Sequence, residues 1–85
     1  MAMPARKDPD LPVLPLSYAE IAADITARIE VGEYEPGAKL PSYFQLADLY
    51  SVSKSTVARA VALLRDRGVA VGAPGRGVYI RQPDR

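Results

Sequence analysis

Apolar residues return every fourth position at Ile21, Ile25 and Ile29, with Ala22 beside them. That period paints one stripe on an α-helix. Ser17 and Glu20 stand in the S-x-x-E spacing of a capping box, and Leu16 and Ile21 are placed to form a hydrophobic staple. Gly32 then supplies the residue on which such a helix ends. A second box, Ser42 with Gln45, starts a short helix reaching about residue 48 or 49, with Leu46, Ala47 and Leu49 as its apolar face. After the tight connection 50–52, Ser53 caps a third helix. There Val57, Ala60, Val61 and Leu64 fall at i, i+3, i+4 and i+7, while Ser55, Arg59, Ala62 and Asp66 point the opposite way. Gly68 ends it.

Beyond Gly68 the pattern changes from helical to alternating. Val69–Val71 and Val78–Ile80 are β-branched or aromatic runs, and the loop 72–77 between them is built of Gly, Ala, Pro and Arg. This predicts a β-hairpin. Pro36-Gly37 marks a turn, and Pro41 leaves room for only a short extended piece around residues 38–40. Two short-linked helices, the second basic, have the pattern of a helix-turn-helix. Prolines 4, 9, 12 and 15 forbid a helix near the start, so residues 1–13 are expected to be a flexible tail. The folded unit is expected over 14–82, with a short tail at 83–85.

Composition narrows the chemistry. A chain of 85 residues has room for one small core, and without cysteine or histidine it has no disulfide and none of the common zinc-ligand sets. There is no phosphate-cradling Gly-rich loop and no carboxylate pair beside a nucleophile, so neither an enzyme nor a cofactor is expected. No apolar run approaches the roughly 20 residues of a membrane span, and no signal peptide is evident, so a cytoplasmic location is expected. The net charge of +1 conceals a division. Residues 1–50 carry four basic and eight acidic side chains, a net −4; residues 51–81 carry six basic and one acidic, a net +5. Such a split points to an anionic partner on one side, although small proteins also vary by a few charges between halves.

Four ordered segments resemble the DNA-binding domain of GntR-type bacterial regulators. They are I-x-x-G-E-Y-x-P-G-x-K-L-P-S (29–42), L-A-x-x-Y-x-V-S (46–53), S-T-V-x-x-A (55–60) and P-G-R-G-V-Y-I (74–80). The resemblance implies a mainly α fold with a small β-hairpin wing, a three-helix winged helix-turn-helix, in which the piece near Lys39 joins the wing. It implies a sequence-specific transcriptional regulator, with a repressor expected, located on the nucleoid when bound. The third helix (53–67) would enter the major groove and the wing (72–77) would reach toward the minor groove. Ser42, Ser53, Lys54, Ser55 and Thr56 match the helix starts that touch DNA, and Gly75, Arg76 and Gly77 match the wing tip. Phe44 and Ala58 stand where the family often has arginine. Family members usually carry a C-terminal effector and dimerisation domain, whereas only residues 81–85 follow the wing; the chain is a piece of a longer regulator or a regulator without that domain.

The residue chemistry agrees with this expectation. A helix start exposes N–H groups and positive dipole to phosphate, and short hydroxyls at 53, 55 and 56 reach it without bulk. Lys54, a point charge, suits phosphate; Arg59 is the helix's candidate base reader, because guanidinium pairs with guanine O6 and N7. Gly75 and Gly77 permit close backbone approach, and Arg76 between them suits a narrow groove. Each has a plainer alternative: Ser53 as a cap alone, Arg59 as a solvated charge, 75–77 as a mere turn, Arg6 and Lys7 as a solvated tail rather than a phosphate-touching arm. The expected partner is double-stranded DNA with a palindromic operator, bound by a homodimer that is weak in solution or forms on DNA. Its candidate seams are the tail residues Leu11, Val13 and Leu14 and the aromatics Tyr43, Phe44 and Tyr50. The rival expectation is a protein-interaction module that has lost its DNA contacts.

Overall fold

A computed structural model describes residues 16–82. The expected tails, the arm residues Arg6 and Lys7, and the apolar tail residues Leu11, Val13 and Leu14 lie outside the described residues. Three helices precede a hairpin: α1 (Tyr18–Glu30), α2 (Tyr43–Tyr50), α3 (Lys54–Asp66), β1 (Ala70–Ala73) and β2 (Gly77–Ile80).

Both capping boxes form. The Ser17 hydroxyl accepts from the Glu20 N–H at 3.2 Å while the Ser17 N–H donates to Glu20 Oε1 at 2.8 Å. Ser42 and Gln45 repeat this reciprocal pair at 3.0 and 2.9 Å. Each box satisfies donors that a helix start otherwise leaves unpaired. α2 runs a turn's fraction further than its pattern suggests, to Tyr50, and stops because Ser51 adopts the left-handed conformation (φ 57°, ψ 46°). Leu16 packs against the core, as the position before the first cap requires.

The core gathers Ile21, Ala22 and Ile25 from α1, Leu46 from α2, and Val57, Ala60, Val61 and Leu64 from α3, with Leu40, Ala70 and Ile80 closing its floor. α1, α2 and β1 each pack on α3, which makes α3 the common wall of the molecule. One expectation fails here. Leu49 is 52% exposed, and the apolar side of α2 is completed by Ala47, Tyr43 and Tyr50, which pack against the core in part. The reason is geometric: Leu49 lies about 300° round the helix from Leu46, on the edge of a stripe only one buried residue wide.

β1 and β2 pair antiparallel, Ala70 opposite Ile80 and Ala73 opposite Gly77, so the strands extend two residues further into the expected loop on one side and one on the other. The extended piece joins the far edge of β2. Leu40 N–H donates to the Val78 carbonyl at 2.8 Å and Ile80 N–H to the Ala38 carbonyl at 2.8 Å, with a bridge between Lys39 and Tyr79. Pro41, which has no N–H, follows the last of these bonds.

A polar chain ties α1 to the end of α2. Arg28 donates from Nε to Asp24 at 2.8 Å and from Nη1 to Glu33 at 2.6 Å, and the Tyr50 hydroxyl donates to the same Asp24 oxygen at 2.6 Å. These carboxylates, Asp24 first, hold the Arg28 guanidinium protonated beyond its ordinary range. Burial, reinforced by the bond to Asp24, holds the Tyr50 phenol neutral well above its usual value; burial raises Tyr34 as well. A phenol whose folded value lies above its unfolded one stabilises fully below the unfolded value and loses that contribution as pH rises beyond it. Unfolding followed from pH 8 upward is therefore expected to become easier above about pH 10. Tyr50→Phe should cost about 1 kcal/mol at neutral pH and flatten that alkaline decline. An unchanged slope in the variant would show that Tyr50 ionises as freely in the fold as out of it.

Candidate nucleic-acid interface

The start of α3 is a cluster of hydroxyls. Ser53 Oγ accepts from the Thr56 N–H at 3.2 Å and lies 3.0 Å from both Ser55 Oγ and Thr56 Oγ1. The first turns of α2 and α3 hold no acidic residue, whereas that of α1 holds Glu20. The positive ends of the α2 and α3 dipoles are thus not offset by a carboxylate in the first turn. Ser42 and Ser53 are both exposed caps.

These two helix starts meet at one edge. Lys54, the first residue of α3, holds its ammonium 6.0 Å from the ring centre of Phe44, the second residue of α2. Phe44 is 72% exposed. Its neighbour Tyr43 turns the other way and helps line an open groove of about 330 Å³ with Arg65, Gly72–Gly75, Gly77 and Val78. The groove therefore runs between α2, α3 and the hairpin, whereas Phe44 is not part of its lining and stands beside Lys54.

The hairpin tip is shaped by its glycines. The Arg76 N–H donates to the Ala73 carbonyl at 2.9 Å across Pro74 and Gly75, whose φ of +73° suits a type II turn. Gly77 follows with φ +115°, a conformation that side chains rarely adopt. Arg76 projects from the tip, exposed. Two cations unforeseen in the sequence lie along the hairpin. A Cβ on Gly77 would stand 2.7 Å from Lys39 Cε, and one on Gly72 would stand 3.0 Å from the Arg65 guanidinium carbon. Lys39 and Arg65 thus rest flat on bare backbone. A glycine within each strand was the available signal, since such a position often marks a close approach.

Arg59 is placed differently from the other expected residues. It lies about 140° round α3 from Lys54, and its guanidinium carbon sits 4.6 Å over the ring of Tyr18 on α1. The fold brings together Ser42, Phe44, Ser53, Lys54, Ser55 and Thr56 at the helix starts, and Gly75, Arg76 and Gly77 at the tip. Arg59 stands apart from these on the α1 flank, exposed, with its guanidinium face on Tyr18. Among the described residues, Lys54, Arg65 and Arg76 carry no ion pair; the two ion pairs found both belong to Arg28, on the acidic side of the molecule.

Residues 17–80 match the family model of bacterial regulatory proteins of the gntR family. The chain belongs to the gntR family. It is 34% identical to the possible transcriptional regulator YydK of Bacillus subtilis, whose crystal structure superposes with a TM-score of 0.74 over 82% of this chain and 31% of that one. It is 30% identical to the transcriptional repressor NagR of Bacillus subtilis, over 78% of this chain and 27% of NagR. A crystal structure of AraR(DBD) in complex with the operator ORX1 superposes with a TM-score of 0.72 at 28% identity, covering 82% of this chain and 92% of that one. The chain spans less than a third of the length of the first curated relatives it matches. The gntR-type fold is the winged helix-turn-helix seen here, and the family is one of transcription regulators rather than enzymes. No helix among the described residues is long and apolar enough to cross a membrane.

The hydroxyl cluster separates a folding role from a binding one. Ser53→Ala should cost about 1 kcal/mol of stability through loss of the cap. Ser55→Ala should cost far less, because its hydroxyl caps no backbone group, so thermal melts of the two variants should part clearly. Equal melting temperatures would show that the Ser53 bond contributes nothing to α3.

Proposed function

We propose that this gntR-family chain binds double-stranded DNA sequence-specifically and represses transcription by occupying an operator. The observation that carries this is the gathering, on one face, of two helix starts without acidic first-turn residues, Lys54 without an ion pair, and Arg76 at the wing tip. α3 enters the major groove from its Ser53 end, so that Ser53, Ser55 and Thr56 meet phosphates and base edges. The wing follows the adjacent backbone, and Arg76 turns toward the minor groove. Arg65 beside Gly72 and Lys39 beside Gly77, on opposite faces of the hairpin, flank the wing and offer further cations to the phosphates on either side of it. NagR, which is a repressor, and AraR(DBD), which was crystallised on an operator, are family likenesses in support. Action on an operator places the protein on the nucleoid, in the cytoplasm.

Affinity for duplexes selected from a random pool should fall steeply with salt, because every neutralised phosphate releases counterions. Lys54→Ala should weaken binding to all sequences alike and reduce the salt slope by about 1. Affinity that ignores salt would favour the rival role, attachment to a protein partner, for which the exposure of Phe44 is the one supporting observation.

One reading helix and one wing touch few base pairs, and each mismatch costs only about 1–3 kcal/mol. Two copies on half-sites about 34–36 Å apart supply the missing discrimination. The helices spend their buried stripes on a single core, and the three aromatics do not form one seam: Tyr50 is bonded to Asp24 and Tyr43 lines the wing groove, while Phe44 alone is exposed. The described unit should therefore sediment as a monomer or weak dimer and pair cooperatively on a palindromic duplex. A tight free dimer, or one copy per palindrome at saturation, would overturn that assembly.

A further inference from the structure

Phe44 is the anomaly of the proposed DNA face. It is a large apolar side chain left 72% exposed among polar and charged neighbours: Ser42 and Gln45 on its own helix start, Lys54 across from it. The other exposed large apolar side chain of α2, Leu49, is about 140° away round the helix. Leu49 lines a different groove with Tyr34, Lys39, Leu40 and Asp48, which Phe44 does not join. Phe44 is therefore a single apolar point rather than part of an apolar patch of the kind that marks protein docking.

A partner that suits this point must be anionic where it meets Lys54 and the two helix starts, and must offer one small apolar group within a few ångströms of a phosphate. Duplex DNA has one such group on its major-groove edge, the C5-methyl of thymine, and aromatic contact with it is an established mode of base reading. Phosphate at Lys54 would sit beside the ring, since the ammonium lies 6.0 Å from the ring centre. We propose that Phe44 reads thymine, packing its ring against the C5-methyl at one position of each half-site while Lys54 holds the neighbouring phosphate.

This inference rests on the DNA-binding function proposed above, and its test separates the two. In the tightest duplex selected from a random pool, each thymine is replaced in turn by deoxyuridine, which removes only the methyl group. Wild type, Phe44→Ala and Phe44→Leu are titrated against each duplex, and thermal melts check that the variants fold, as the exposure of residue 44 leads one to expect. At one thymine per half-site the loss of the methyl should weaken wild type about fourfold, the worth of one buried methyl group. Phe44→Ala should already be weaker on the parent duplex and lose nothing further at that position, and Phe44→Leu should keep part of the sensitivity.

Two results would overturn the inference while leaving DNA binding intact. Either Phe44→Ala binds the parent duplex as tightly as wild type, or it weakens binding while every deoxyuridine substitution affects it and wild type alike, which would mean contact with sugar or backbone. Failure of the function itself looks different: no sequence is enriched, and affinity does not respond to salt.

Discussion

The buried stripe of α3 is the interaction on which the rest depends. Val57, Ala60, Val61 and Leu64 have no accessible surface, and α1, α2 and β1 all pack on this one helix. The stripe sets the helix's rotation about its own axis, because turning it by one residue either way would carry an arginine, Arg65 or Arg59, into the core at a cost on the order of several kcal/mol. It also determines what the helix shows the outside. With that stripe inward, Lys54 and Arg65 fall on the flank near the wing and Arg59 on the flank near α1. The part of the candidate site that lies on α3 is thus the complement of the core, written on the same thirteen residues.

Charge is separated by the same arrangement. On the α1 side Asp24, Glu33, Arg28 and Tyr50 bond to one another, and their mutual satisfaction leaves Arg28, paired with two carboxylates, where no polyanion is invited. On the α3 and wing side Lys54, Arg65 and Arg76 have no acidic partner among the described residues. An unpaired exposed cation is cheap to keep in water and gains most when it meets phosphate, since no ion pair has to be broken first. The net +1 of the chain hides this because it averages two faces with opposite roles.

The helices were legible because their signals are local: two capping boxes, a four-residue period, and an i, i+3, i+4, i+7 stripe each involve residues within two turns. The hairpin was legible for the same reason, though its strands reach further into the loop than the apolar run alone suggests. Leu49 was misplaced because a short helix with one fully buried residue gives too few points to locate its apolar centre. Sequence spacing gives the angle of Arg59 on α3 but not the ring of Tyr18 lying across it, 41 positions earlier. The piece around Lys39 joins the wing as expected, but the approach of its side chain to Gly77, 38 positions later, is a contact that no local pattern carries. Leu49 apart, what the sequence does not reveal depends on contacts between distant segments, which no local window contains.

The wing shows how those distant contacts join fold to function. Gly72 and Gly77 place no side chain between strand and neighbour, and Arg65 from α3 and Lys39 from the edge piece fill the space with aliphatic stem and charged head. Long basic side chains can lie over bare backbone in this way while keeping their charge in solvent. The wing is consequently steadied by the same side chains proposed to meet phosphate. Orientation of the tip and the placing of charge beside it are then coupled: a Cβ at either glycine would displace a cation, and at Gly77, with φ +115°, it would strain the hairpin as well. The two glycines are needed in the wing for the space they leave, and that space is occupied by the chemistry the site requires.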